Sequence, residues 1–121
     1  MQAAATALVL LLAWGSLQHL LDFLTAGWSP YAYAPNWLAA YWSALLLLDP
    51  LAAVLIARRH RAGLLLAPLI LLTDAAANGY AIHALDLGGP LAPIGHGVVS
   101  VMAIASTVLT PRLLRPTNRP A

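Results

Sequence analysis

The basic residues of this chain are all arginine and fall in two short clusters. One is Arg58, Arg59 and Arg61, with His60 among them; the other is Arg112, Arg115 and Arg119 near the C-terminus. Before and between the clusters lie long apolar runs almost free of charge, and neither lysine nor glutamate occurs anywhere. This is the pattern of a polytopic membrane protein whose arginines mark the cytoplasmic side. The composition agrees: 61% of the residues are hydrophobic, 8% are charged, and the mean hydropathy is +0.79.

A chain of 121 residues makes one domain. A spanning helix takes about 20 apolar residues, so there is room for four such helices with short loops and for no separate soluble domain. The net charge of +2 comes from the arginine clusters. They read as topology markers and anionic-lipid contacts, not as a nucleic-acid surface, which would spread its basic residues along one soluble face. The absence of cysteine excludes disulfides, thiolate metal sites and thiol catalysis. The first apolar stretch lacks a basic leader and is too long for a cleaved signal. Ala32-Tyr33-Ala34 has the small-x-small spacing of a cleavage site, but Pro35 follows it and it lies far past the apolar stretch, so a retained helix is expected.

Glycine and proline punctuate the sequence at Gly27, Pro30, Pro35, Gly63, Gly88-Gly89-Pro90 and Pro111. They divide it into four predicted helices over Ala3–Gly27, Asn36–Ala57, Ala62–Leu85 and Ala92–Leu109, followed by a basic tail, 112–121. The arginines place the loop between the second and third helices, and both termini, in the cytoplasm. The first and third loops then face out. The first, Gly27–Asn36, carries Trp28, Tyr31 and Tyr33, with Trp37, Tyr41 and Trp42 just beyond it. Such rings favour the headgroup region, so these residues form an outer aromatic belt; a lid over an outward pocket is the functional alternative.

Carboxyls are costly in a bilayer, yet every predicted helix carries polar groups. The first holds Gln18, His19 and Asp22 within one turn of one another. The second holds Asp49 just before Pro50, roughly 18 Å below the outer end by helical rise. In the third, Asp74 and Asn78 share a face, with Thr73 beside them; in the fourth, His96, Ser100, Ala103 and Thr107 form one small-and-polar stripe. Turning these stripes inward gives an all-α four-transmembrane-helix bundle with a polar interior, N-in and C-in. Gly15, Ser16, Ala52, Ala53, Ala75, Ala76, Ala77, Gly95 and Gly97 would permit close helix approach.

Much of this polarity suits interhelical hydrogen bonding, as for Ser43, Asn78, Ser100 and Thr107. His83 and Asp86 read as interface residues, and a histidine at a helix start, such as His96, is commonly structural. Asp49 and Asp74 are different. Neither has an arginine or lysine within the spans to pair with, so each is protonated, balanced by a histidine such as His19 or His96, or balanced by a cationic ligand. His19, Asp22 and His96 fit no standard metal spacing. Neither a phosphate loop nor a nucleophile elbow is present. No metal and no cofactor is expected.

Several positions together resemble the EXPERA domain of emopamil-binding sterol isomerases and sigma-2 receptor-like proteins. They are Trp14-Gly15 followed by His19 and Asp22, Asp49-Pro50-Leu51 before the basic turn Arg58-Arg59-His60-Arg61, Asp74 followed by Asn78-Gly79-Tyr80, and Pro111-Arg112 at the end of the fourth helix. The resemblance implies an intramembrane pocket for a flat hydrophobic or cationic-amphiphilic molecule. It also implies proton-transfer isomerisation, with His19 and Asp22 as catalytic residues and Asp49 or Asp74 stabilising positive charge. The family's acids are usually glutamates, whereas this chain has only aspartates.

The reading is therefore a small integral membrane protein, in the inner membrane of a bacterium on the strength of its alanine- and leucine-rich, lysine-free composition. It binds a lipid-like molecule through Asp49, Asp74, Asn78, His96 and Trp42, with His19 and Asp22 as the acid–base pair. Its partners are membrane lipids, a hydrophobic ligand and a second copy of itself, but not nucleic acid. The competing readings are a small oligomeric proton-coupled transporter and a structural or accessory membrane subunit.

Overall fold

The computed structural model describes residues 2–115. The predicted tail beyond Arg115, including Arg119, lies outside the described residues. The chain is all-α: α1 Gln2–Ala26, α2 Asn36–Ala57, α3 Arg61–His83 and α4 Ala92–Leu114. Each helix is long and apolar enough to cross a membrane. At a rise of about 1.5 Å per residue, even α2, the shortest at 22 residues, exceeds a hydrocarbon core of about 30 Å. The protein is a four-helix membrane bundle.

Local chemistry sets the joints. α1 stops at Gly27, whose φ of +80° closes the helix while its N–H donates to the Phe23 carbonyl at 3.0 Å. Pro35 precedes α2 and its carbonyl accepts from Leu38 and Ala39. The turn between α2 and α3 is three residues long, with Arg59 at φ 59° and the His60 N–H returning to the Leu55 carbonyl. α3 ends two residues before the predicted Leu85, because the chain must turn through Asp86 (φ 52°) and Gly88 (φ +94°). α4 runs five residues past the predicted Leu109, straight through Pro111. A proline forfeits only one backbone donor. Thr107 and Thr110 donate to the Ala103 and Ser106 carbonyls in the same turns, and Thr110 also reaches the Leu64 carbonyl of α3 at 3.2 Å.

α2 and α3 form the centre. α1 packs on α2, α4 packs on α3, and α1 and α4 meet only slightly. The interior is rich in small side chains, with Ala52, Ala67, Ala81 and Ala103 at most 2% exposed, while Leu24, Leu47, Leu69 and Val101 lie on the outside. Leu12, Leu38 and Leu45 are buried among the small residues, which permit the close backbone approach that holds helices together in lipid. Arg58, Arg59, Arg61, Arg112 and Arg115 gather at one end, where Arg61 reaches the Leu114 carbonyl at 3.5 Å. The aromatic 27–35 loop and the 84–91 loop form the other end.

Candidate functional site

A cavity of about 400 Å³ opens in the aromatic half of the bundle. α1 contributes Trp14, Gln18, His19 and Asp22; α2 contributes Trp42; α3 contributes Asp74 and Asn78; α4 contributes Gly95 and His96; and the first loop adds Tyr31 and Tyr33. The cavity exists because α1 and α4 barely touch. Gly95 faces it without a side chain, and neither Gly95 nor Gly97 has a neighbour that an added Cβ would meet within 4 Å.

Tyr31 organises one wall. The loop folds it inward until it is 6% exposed, and its hydroxyl donates to Asp22 Oδ2 at 2.6 Å. The Tyr31 hydroxyl oxygen also lies 2.8 Å from His19 Nδ1. A phenol has one proton to give. With that proton committed to Asp22, Tyr31 accepts from His19, which fixes the imidazole with its hydrogen on Nδ1 and its lone pair on Nε2. Trp42 packs against the Tyr31 ring at 5.3 Å, and Phe23 meets it edge-on at 6.3 Å. Burial and the bond to Asp22 push the Tyr31 phenol well above its ordinary range, so it stays neutral. Burial and nearby Asp22 shift Tyr33 the same way.

The opposite wall is Asp74, Asn78 and His96. Asn78 donates to Asp74 Oδ1 at 2.9 Å, the helical neighbours meeting as their spacing predicts. His96 Nε2 lies 3.0 Å from the Ala75 carbonyl, an acceptor only, so this nitrogen carries the hydrogen. Gly79 makes room for the ring: a Cβ there would stand 3.0 Å from His96 Nε2. His83, expected at the interface, meets His96 edge-on with ring centroids 5.5 Å apart.

Asp49 sits behind the cavity, not in its lining. It is 5% exposed and rests in a notch at Gly15, where a Cβ would come 2.6 Å from Oδ2. Its Oδ2 is 4.0 Å from His19 Nε2. The structure thus gathers His19, Asp22, Asp74, Asn78, His96 and Trp42 around one space and leaves Asp49 one residue removed from it. Tyr31 is the member that the sequence pattern hid, because it reads as one more ring of the aromatic belt. Its distinguishing mark would have been spacing to Asp22 through a turn at Gly27, a contact that helical periodicity does not reach.

The cavity wall carries two carboxyls and two imidazoles, and none of the described arginines lines it. Among the described residues, no group of three or more histidine or aspartate side chains is placed to hold a metal ion. Fold and site together define a small integral membrane protein with a polar cavity inside its helical bundle. Comparison of the chain with protein-family models, characterised proteins and solved structures gives no match.

Proposed function

We propose that the protein binds a lipid-like small molecule, with a cationic or hydrogen-bond-donating head, in the cavity between α1 and α4. One observation carries this reading: Asp22 and Asp74 face the same open space from opposite walls, with none of the described arginines beside them. A carboxyl at membrane depth needs a proton or a positive partner, and an amphiphile supplies the partner together with an apolar body for Trp14, Ile82 and Val99. The resemblance to the EXPERA domain points the same way. It extends the reading to proton-transfer isomerisation, for which His19 and Asp22 are the candidate acid–base pair. In this proposal the arginine end faces the cytoplasm of a bacterial cell and the aromatic end faces out.

The test is thermal unfolding in detergent against hydrophobic amines, terpenoids and neutral lipids, for wild type, Asp74→Asn and Asp22→Asn. A ligand specific to the folded state stabilises it by about 2.7 kcal/mol at a hundred times its dissociation constant. The expected result is a raised melting temperature with at least one amine in wild type, and its loss in Asp74→Asn. If no compound shifts wild type and both variants are as stable as wild type or more so, the binding reading fails and the polar groups are helix-to-helix contacts of a structural subunit.

A further inference from the structure

Asp49, expected from the sequence among the ligand-binding residues, does not line the cavity. It is buried near the middle of α2, 4.0 Å from His19, and rests in a notch at Gly15 where an added Cβ would stand 2.6 Å from its Oδ2. What it does have is a line of proton-carrying groups leading away from it, with one gap, at its first link. His19 Nε2 lies 4.0 Å from its Oδ2, His19 Nδ1 lies 2.8 Å from the Tyr31 hydroxyl, and that hydroxyl lies 2.6 Å from Asp22 Oδ2. Asp22 is one turn from the aromatic end of α1 and lines the open cavity.

We propose that Asp49, His19, Tyr31 and Asp22 form a proton relay joining the aromatic end of the bundle to a buried carboxyl deep in the membrane. In the two hydrogen-bonded links, His19 to Tyr31 and Tyr31 to Asp22, the donor and acceptor order is the one a relay requires. Starting from protonated Asp49, its O–H proton passes to the His19 Nε2 lone pair. The Nδ1 hydrogen passes to the Tyr31 oxygen, and the tyrosine's own proton passes to the Asp22 carboxylate. The net change is one proton moved from Asp49 to Asp22. His19 and Tyr31 finish neutral, and His19 has exchanged one tautomer for the other. The 4.0 Å gap at Asp49 closes by a carboxyl rotation or one bridging water. Reverse passage restores the starting tautomer and reprotonates Asp49.

The other titratable groups near this line do not interrupt it. Asp74 of α3 is bonded to Asn78, and His96 of α4 is bonded to the Ala75 carbonyl and faces His83. Tyr33 of the first loop packs on Trp42 at 6.4 Å. The described arginines lie at the opposite end of the bundle. Among the described residues Tyr31 is the single bridge between His19 and Asp22, and Trp42 and Phe23 pack against its ring.

The experiment uses the full chain in lipid nanodiscs with no ligand added, so its outcome is independent of the ligand screen. A rapid pH jump is followed by infrared absorption of the carboxyl groups, and the Asp49 band is identified as the one missing in Asp49→Asn. Tyr31→Phe removes the bridging hydroxyl. Asp22→Asn keeps an oxygen for the Tyr31 hydrogen bond but cannot take up a proton, and it decides the matter alone if Tyr31→Phe does not fold. Each variant is expected to slow the Asp49 response by about a hundredfold, the low end of what a positioned proton donor contributes. An Asp49 band that follows the jump at the wild-type rate in Asp22→Asn would overturn the relay, as would the absence of any pH-responsive band assignable to Asp49.

Discussion

At the arginine end of the bundle, the buried residues of α2 and α3 are Ala52, Ala53, Ile56, Gly63 and Ala67, and the three-residue turn lets the two helices meet almost backbone to backbone. At the aromatic end the same helices carry Trp42, Asp74 and Asn78, and a cavity replaces close contact. The contrast shows how a small membrane protein divides its labour. Lipid offers no hydrophobic gain for bringing helices together, so one half secures the fold by close packing, helped by the Thr110 and Arg61 bonds between α3 and α4. The other half is then free to hold polar groups apart around a space.

Three substitutions or conditions probe that division, and the largest effect belongs to the tight end. A Cβ on Gly63 would stand 2.7 Å from the Ile56 backbone nitrogen and 2.8 Å from Leu55 Cβ. Backbone cannot step aside as a side chain can, so Gly63→Ala should destabilise the bundle by about 3 kcal/mol, the upper end for overpacking. Thermal unfolding in detergent measures it; an unchanged melting temperature would show that the arginine end is not the rigid half.

Next comes Gly15→Ala at the polar end, where the obstructing atom is the Asp49 carboxyl. The expected cost is about 1–2 kcal/mol. Because the clash is with a single side chain, adding Asp49→Ala should recover part of that loss, a non-additivity that Gly63→Ala cannot share. Additive costs in the double variant would mean that the Gly15 contact is not the source of the strain.

The smallest effect is alkaline. The folded protein holds the Tyr31 proton more tightly than an unfolded chain does. The resulting stabilisation is fully present below about pH 10, the ordinary phenol value, and declines as pH rises above it. Melting temperatures measured from neutral to strongly alkaline pH should fall less steeply in Tyr31→Phe than in wild type, from a lower starting point. Parallel curves would mean that the phenol's environment differs little between the folded and unfolded states.

The sequence made the architecture legible because arginine clusters and apolar run lengths answer to the bilayer, a constraint that acts on each segment independently. α2 has the predicted ends for that reason. α4 does not, since a proline near a helix terminus can either stop it or be carried, and the threonine hydroxyls at 107 and 110 favour carrying it. Within the site, Asp74 with Asn78 could be paired from helical spacing. The approach of His19 to Asp49 was one of several balances the residues allowed, and only the packing of α1 on α2 selects it. Tyr31 was illegible because its position depends on the loop path after Gly27, which no periodicity encodes.

The two glycine notches have a consequence for how the bundle meets membranes of different thickness. Asp49 lodges at Gly15 between α2 and α1, and His96 lodges at Gly79 between α4 and α3. Sliding either helix pair by one turn, about 5.4 Å, would press the polar side chain against Leu11 or His19 in one case and Ala75 or His83 in the other. Each outer helix is thereby keyed lengthwise to its central neighbour. A thinner or thicker bilayer cannot be accommodated by telescoping the helices. The four must tilt together, as one body.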